Sequence, residues 1–338
     1  LTAAGAARSA RLALTMGDPA GIGPEIALKA LAAMPPAARP LVIGDPVWLA
    51  EVAAKLAAMP PVRTVTAPDA RPGADTVDVL ASDVPVGGVR RGEVSAAAGR
   101  AAYAWVRRAI ALALAGAVDG VVTAPLHKEA LAAAGVPFPG HTEMLAHHAG
   151  VDEVAMMLAT PELKVVLVTI HEPLAAAIAR LDGSMQRRAI RFAAMGARAF
   201  GVAAPRIAVA GVNPHAGEGG RFGREEIDVI APAVAAARAD GFDVAGPLPA
   251  DSVFRLARAG RFDVVVAQYH DQGLIPIKLG GLADGVNVTL GLPFVRTSPD
   301  HGTAFDIAAA FTADPASLAA AIATAERLAL HKNYSTLV

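Results

Sequence analysis

Three histidines stand just behind short apolar runs: Val-Thr-Ile-His171, Gly-Val-Asn-Pro-His215 and Gln-Tyr-His270-Asp-Gln-Gly. The runs Val165–Val168, Ile207–Ala210 and Val264–Ala267 read as buried parallel strands. Each histidine therefore falls at or just past the carboxyl end of a strand, the edge at which open α/β sheets bind ligands. Taken singly, each would pass for an ordinary loop or core histidine. Three in one topological position, two of them beside Gly-rich loops, point to one divalent cation with coordination positions left open for substrate.

Other segments carry groups suited to a small anion. Lys128, His141 and Thr142 offer a cation, an imidazole and a hydroxyl in loops after one strand. Lys278, Asn287 and Arg296 could enclose a phosphate, with lysine as a point charge and arginine as a planar two-pronged donor. The loop Asn213–Gly220 is rich in glycine. Its Gly217 and Gly219 either turn backbone N–H groups toward a cofactor phosphate or allow the loop to move as a lid. The turn Met16–Glu25 opens a helix at Pro24. It contains neither Gly-x-Gly-x-x-Gly nor Gly-Lys-Ser/Thr, so it is neither a dinucleotide fingerprint nor a P-loop. In Asp300–Asp306 the first aspartate suits a helix cap, and the small residues permit close approach.

Composition removes several classes of function. The 338 residues are 54% hydrophobic and 18% charged, with a formal net charge of −1. That composition fits a compact protein long enough for two domains. With no cysteine in the chain, disulfides, thiolate nucleophiles and Cys-ligated metal centres are excluded. The balanced charge and an aromatic content of 4% argue against a nucleic-acid surface. No run reaches the roughly 18 apolar residues of a membrane span. The first residues lack the apolar core of a secretory signal, so a cytoplasmic protein is expected.

The elements that must position these groups alternate along the chain. Leu12–Thr15, Leu41–Ile43, Gly120–Thr123, Val154–Leu158, Val165–Thr169, Ile207–Ala210, Val264–Ala267 and Val286–Thr289 read as strands. Pro24–Ala33, Ser95–Ala115, Ser184–Phe200, Arg224–Ala239 and Pro315–Leu330 read as helices. The alternation predicts α/β layers on a largely parallel sheet. Residues 60–94 read as an excursion away from the chemistry, with room for a short hairpin. Two lobes are expected, 1–125 with 297–338 and 126–296, the second carrying most metal and phosphate contacts.

Taken together, the motifs Gly-Asp-Pro-Ala-Gly-Ile-Gly-Pro-Glu25, Gly-His141-Thr-Glu, Asn-Pro-His215-Ala-Gly-Glu-Gly-Gly, Tyr-His270-Asp-Gln-Gly and Asn287-Val-Thr-Leu-Gly-Leu-Pro-Phe-Val-Arg296-Thr-Ser resemble the 4-hydroxythreonine-4-phosphate dehydrogenase family of vitamin B6 biosynthesis. The resemblance runs from about Arg11 to the last helix. It implies a two-lobed α/β/α fold like that of isocitrate and isopropylmalate dehydrogenases, with an active-site cleft between the lobes. It implies metal ligands at His171, His215 and His270, and substrate contacts at His141, Thr142, Lys278, Asn287 and Arg296. The segment Asp300–Asp306 looks like the nucleotide-side loop of the related dehydrogenases, which places His301 and Asp306 beside NAD or NADP. The metal would be one divalent ion per site, Zn, Co, Mn or Mg, and the enzyme a homodimer with shared active sites. Asp251 and Lys128 are the candidates for the catalytic base.

The expected reaction is oxidation of 4-(phosphooxy)-L-threonine at its 3-hydroxyl, then decarboxylation to 3-amino-2-oxopropyl phosphate. Sister branches act on 4-phospho-D-threonate or D-erythronate 4-phosphate, and on cis-dihydrodiols of aromatic acids. Retention of Asn287 and Arg296 with Lys278 favours a phosphorylated substrate. Met-Gly-Asp18-Pro departs from the Pro-Gly-Glu-Pro of some B6-pathway members, and His171-Glu172 from the apolar residue many carry there, so the branch stays open. A phosphometabolite-binding protein would need the phosphate set without three histidines. A metal-dependent hydrolase would lean on carboxylate ligands.

Overall fold

A computed structural model describes residues 10–68, 73, 75–281 and 285–331. Its contacts form two compact units. One takes in residues up to Asp152 and those from Leu292 on, and the other takes in Glu153–Gly291. The breaks fall after Asp152 and Gly291, whereas the sequence suggested crossings after residues 125 and 296. The reason lies in packing. The two helices that follow Pro125 both lie against the long helix 96–114 of the first unit.

The first unit contains β1 (Leu12–Thr15), β2 (Leu41–Gly44), β3 (Val62–Val65), β4 (Val77–Ala81) and β5 (Gly120–Thr123). The second contains β6 (Ala155–Ala159), β7 (Lys164–Leu167), β8 (Ile207–Ala210), β9 (Val244–Leu248), β10 (Val264–Ala267) and β11 (Val286–Leu290). The chain then adds β12 (Val295–Pro299) to the first unit. Helices of the first unit are α1 (Gly23–Ala32), α2 (Pro46–Ala53), α3 (Ala96–Leu114), α4 (Lys128–Ala133) and α5 (His141–Ala149). The second unit has α6 (Leu174–Ala179), α7 (Gly183–Ala199), α8 (Ala231–Ala239), α9 (Ala250–Arg258) and α10 (His270–Lys278). The first unit ends with α11 (Phe305–Ala308) and α12 (Ala316–Leu330). Among the described residues no helix is long and apolar enough to cross a membrane.

In the first unit the strands run in the order β3-β4-β2-β1-β5-β12, all parallel. The strands found in residues 60–94, β3 and β4, pair in parallel, Val62 opposite Val77, and so do not form the short hairpin for which the sequence left room. The helix α3 begins where Ser95 accepts a hydrogen bond from Ala98 N at 3.1 Å. It buries Trp105 completely. On α1 the buried Glu25 accepts from Lys29 Nζ at 2.7 Å and from Ala313 N at 2.8 Å, which ties the helix to the segment before α12.

The second unit orders its strands β11-β6-β7-β10-β8-β9. β6 is antiparallel to β7 and β11, and the other pairs are parallel. The histidine-bearing strands are neighbours: Val265 faces Val165 of β7, and Val264 faces Ile207 of β8. Val165, Leu167, Ala208, Ala210, Val265 and Ala267 on these strands are buried with Leu274 and Ile277 of α10 and Val253 of α9. At about 1.5–3 kcal/mol per fully buried aliphatic side chain, a one-residue slip would be heavily penalised. The expected helix 224–239 is instead a wide π turn, Glu226–Ile230, followed by α8.

Gly99 of α3 touches α4: a Cβ there would lie 2.0 Å from the Ala130 carbonyl oxygen. Gly99→Ala should therefore lower the unfolding free energy by about 1–3 kcal/mol, against the roughly 1 kcal/mol gain that alanine normally brings to a helix. Urea titration measures it, and an unchanged or raised midpoint would contradict this packing.

Candidate active site

Parallel register brings the ends of β7, β10 and β8 to one edge of the second unit. His171 follows β7 by four residues, and His270 opens α10 behind β10. Their ring centroids are 5.5 Å apart. Both line a pocket of about 460 Å³ together with Thr169, Glu172, Tyr269 and Asp271. His270 Nδ1 lies 2.7 Å from Asp271 Oδ1. A carboxylate can only accept, so the Nδ1–H donates to it and Nε2 is the ring nitrogen left for another partner.

Buried amides hold this edge together. Gln268 Nε2 donates to the Ala210 carbonyl and Gln272 Nε2 to the Gly211 carbonyl, both at 2.8 Å. Thr169 Oγ1 donates to the Gln268 carbonyl at 2.8 Å, and Gln186 Nε2 reaches Gln268 Oε1 at 2.6 Å. These bonds tie together the backbone leading into all three histidine loops.

His215 sits in the turn Pro214–Gly220, its ring 6.3 Å from that of Phe222. The backbone there is left-handed at His215, Ala216 and Glu218, with φ of 55°, 54° and 42°. That conformation costs about 1–2 kcal/mol for each such L-residue. The donor chemistry at this edge suits a transition-type divalent ion, and the facing pair His171 and His270 fits as part of its ligand set. No group of three His, Asp or Glu side chains able to hold an ion occurs among the described residues. His215 is therefore not grouped with the His171 and His270 pair.

In the first unit β1, β5 and β12 are adjacent. Arg296 on β12 is 2% exposed, and its Nη2 donates to Thr123 Oγ1 at 2.6 Å. Burial pushes the guanidinium down to about 9, so it stays cationic at neutral pH. His141, at the start of α5, is held well below the ordinary imidazole range by burial and by the Arg296 charge. Its Nε2 is shielded from solvent, with no hydrogen-bond partner among the described residues. Asp18, just past β1, is 1% exposed. Its Oδ1 accepts from Ala20 N at 2.8 Å, while Oδ2 is buried without a partner among the described residues. Burial raises this carboxyl to about 6, against the opposing pull of the Ala20 N–H and His127. His127 stacks on Phe305, centroids 4.3 Å apart.

The remaining expected residues are more scattered. Thr142 follows His141 in α5 and is half-buried, while Lys128 is exposed at the start of α4. Asp251 is exposed in the first turn of α9, and Asp306 in the first turn of α11. His301 is exposed, its Nδ1–H donating to the Gly302 carbonyl at 3.0 Å. Lys278 is exposed at the end of α10, and Asn287 is half-buried in β11 with Nδ2 3.3 Å from Met156 Sδ. Lys278 and Asn287 belong to the second unit and Arg296 to the first. Gly217 faces a carboxylate: a Cβ there would lie 2.7 Å from Glu226 Oε2. An acidic oxygen on that face repels phosphate, whereas nothing lies within 4 Å of the corresponding point on Gly219. Asp18, Thr123, His127 and Glu226 received no role from sequence. The available signals were an aspartate directly behind a buried strand and a Glu pair closing the glycine loop.

Residues 36–325 match the family described as pyridoxal phosphate biosynthetic protein PdxA. The chain belongs to this family. It is 56% identical over 318 residues to a 4-hydroxythreonine-4-phosphate dehydrogenase from Beijerinckia indica, a match covering 94% of each chain. It is 49% identical to a D-threonate 4-phosphate dehydrogenase from Cupriavidus necator, covering 95% of this chain and 98% of that one. A crystal structure of 4-hydroxythreonine-4-phosphate dehydrogenase from Klebsiella pneumoniae superposes with a TM-score of 0.88 at 48% identity, covering 96% of this chain and 99% of that one. The PdxA relationship agrees with the α/β fold expected from sequence.

Asp18 of this PdxA-family chain gives a pH signature. A carboxyl at about 6 rather than the ordinary 3.8 binds its proton more tightly folded than unfolded. Its cost to stability is absent below about pH 4, grows as pH rises through 6 and levels at about 3 kcal/mol. Asp18→Asn should therefore match wild type near pH 4 and exceed it by about 2–3 kcal/mol at pH 7. Denaturant unfolding across this range checks it, and a difference independent of pH would contradict the assignment.

Proposed function

We propose that this chain oxidises 4-(phosphooxy)-L-threonine at its 3-hydroxyl and releases CO₂ to give 3-amino-2-oxopropyl phosphate. The observation that carries this reading is the 56% identity, over 94% of both chains, to a 4-hydroxythreonine-4-phosphate dehydrogenase. The chain is an oxidoreductase of the PdxA family.

Arg296, cationic and desolvated, is suited to an anionic group of the substrate, and Lys278 and Asn287 complete the proposed phosphate contacts. Neutral His141 and Thr142 would orient the substrate by hydrogen bonds without adding charge. His171, His215 and His270 are the proposed metal ligands. A divalent ion held there would acidify a hydroxyl and polarise the carbonyl that replaces it. NAD or NADP would accept the hydride, with Gly219, His301 and Asp306 as proposed contacts and Gly217 the weakest of the set. Asp251 and Lys128 remain the proposed proton acceptors, and both are open to solvent. A homodimer with shared sites is part of the proposal, and Leu174, an apolar liner of the histidine pocket that is 51% exposed, is suited to being covered by a second chain. Cytoplasm is the proposed compartment.

A second reading, a 4-phospho-D-threonate dehydrogenase, draws on the 49% identity to the Cupriavidus necator enzyme. The two acids differ by an amine or a hydroxyl at carbon 2. A panel of both acids and a non-phosphorylated aromatic cis-dihydrodiol, followed by NAD(P)H absorbance with added metal, separates the branches. The phosphothreonine should give the highest kcat/KM, and Arg296→Met should lower it about 10- to 150-fold, the loss of one charge-assisted contact. Preference for the threonate moves the chain to the second reading. Preference for the dihydrodiol, with Arg296→Met unaffected, overturns the phosphate reading.

A further inference from the structure

The turn that carries His215 is an unusual piece of backbone. Six consecutive residues, His215 to Gly220, have positive φ, and three of them are not glycine. The backbone bonds at its ends are Ala216 N to the Asn213 carbonyl at 3.1 Å, Arg221 N to the Glu218 carbonyl at 3.3 Å and Phe222 N to the Gly217 carbonyl at 3.2 Å. Such strain persists only where the surroundings over-determine the conformation.

A buried acid packs against this turn and binds the backbone that enters it: Glu226, 2% exposed, is the first residue of the π turn. Its Oε1 accepts from Val212 N and Asn213 N, both at 2.7 Å. Its Oε2 accepts from Asn213 Nδ2 at 2.9 Å. Three N–H donors offset the burial of a carboxylate. Two glycines make room for it: a Cβ on Gly211 would lie 3.1 Å from Oε1, and one on Gly217 would lie 2.7 Å from Oε2. The loop's composition, two residues of entry backbone and a buried acid thirteen residues after the second of them therefore form one device. The π turn, whose wider spacing is common at functional sites, begins at this acid.

We propose that Glu226 is a positioning residue, whose buried carboxylate holds His215 in the left-handed turn from which it serves as a metal ligand. The proposal rests on the reading of His215 as a ligand, and the test keeps the two apart.

The zinc dissociation constant is measured by competition with a chromophoric chelator for the full-length wild type, His215→Ala, Glu226→Ala, Glu226→Gln and the double variant His215→Ala/Glu226→Ala. Glu226→Ala should weaken zinc binding about 10- to 100-fold, the usual effect of removing a group that orients a ligand. Glu226→Gln keeps a carbonyl oxygen for the two backbone N–H groups and should recover most of that affinity. The double variant should bind zinc no worse than His215→Ala, because a residue acting through His215 has nothing left to position. If Glu226→Ala binds zinc like wild type while His215→Ala does not, the positioning role is overturned and the ligand reading stands. A further loss in the double variant marks general destabilisation and also overturns the role. Unchanged affinity in His215→Ala overturns the ligand reading itself. Should Glu226→Ala fail to fold, Gly217→Ala, whose Cβ displaces the carboxylate, replaces it with the same expected loss.

Discussion

Everything proposed for the second unit depends on the mutual register of β7, β10 and β8. Each is four residues long, fully or almost fully buried, and parallel to its neighbour. Parallel strands in fixed register end at one edge, and their successors emerge side by side. Gln268 and Gln272 extend that register past the last ladder bond by capturing the Ala210 and Gly211 carbonyls. Without that alignment His171 and His270 would be two surface residues with no common purpose. With it, their rings face one pocket.

The first unit solves a different problem, that of keeping charge available inside protein. Arg296 remains cationic although nearly all of it is buried. The same charge and the same burial keep His141 neutral. A neutral imidazole beside a cation can accept or donate a hydrogen bond without competing for an anion, as recognition of a phosphorylated acid requires. Asp18 carries the opposite tension, a carboxyl whose burial favours its proton.

Period and composition made the framework legible. Mostly apolar runs of three to four residues between Ala-rich amphipathic stretches marked β1, β2, β5, β8 and β10 to within a residue. Parallel pairing followed from the alternation. The elements that escaped include β3 and β4 in a Pro- and Gly-dotted stretch, β12, whose Arg-Thr-Ser-Pro reads as loop, and the helices of four to nine residues α2, α4, α5, α6, α9, α10 and α11, too short to stand out from the loops around them. The histidines were legible because a strand end is visible in sequence. Glu226 was not, because its partners are backbone N–H groups thirteen and fourteen residues away, and a turn with six positive φ angles has no periodic signature. His215 shows the same limit from the other side. Its place behind β8 was readable, but its separation from the His171 and His270 pair was not.

Metal stoichiometry tests the central claim most directly. Wild type and the variants His171→Ala, His215→Ala and His270→Ala are dialysed against excess zinc and then against buffer, and metal is counted per chain. The account expects about one ion per chain in wild type and loss of most of it in each variant, with folding unimpaired because all three side chains lie at strand edges. A variant that keeps its full complement of metal would remove that histidine from the site, and retention by His171→Ala or His270→Ala would contradict the account at its foundation.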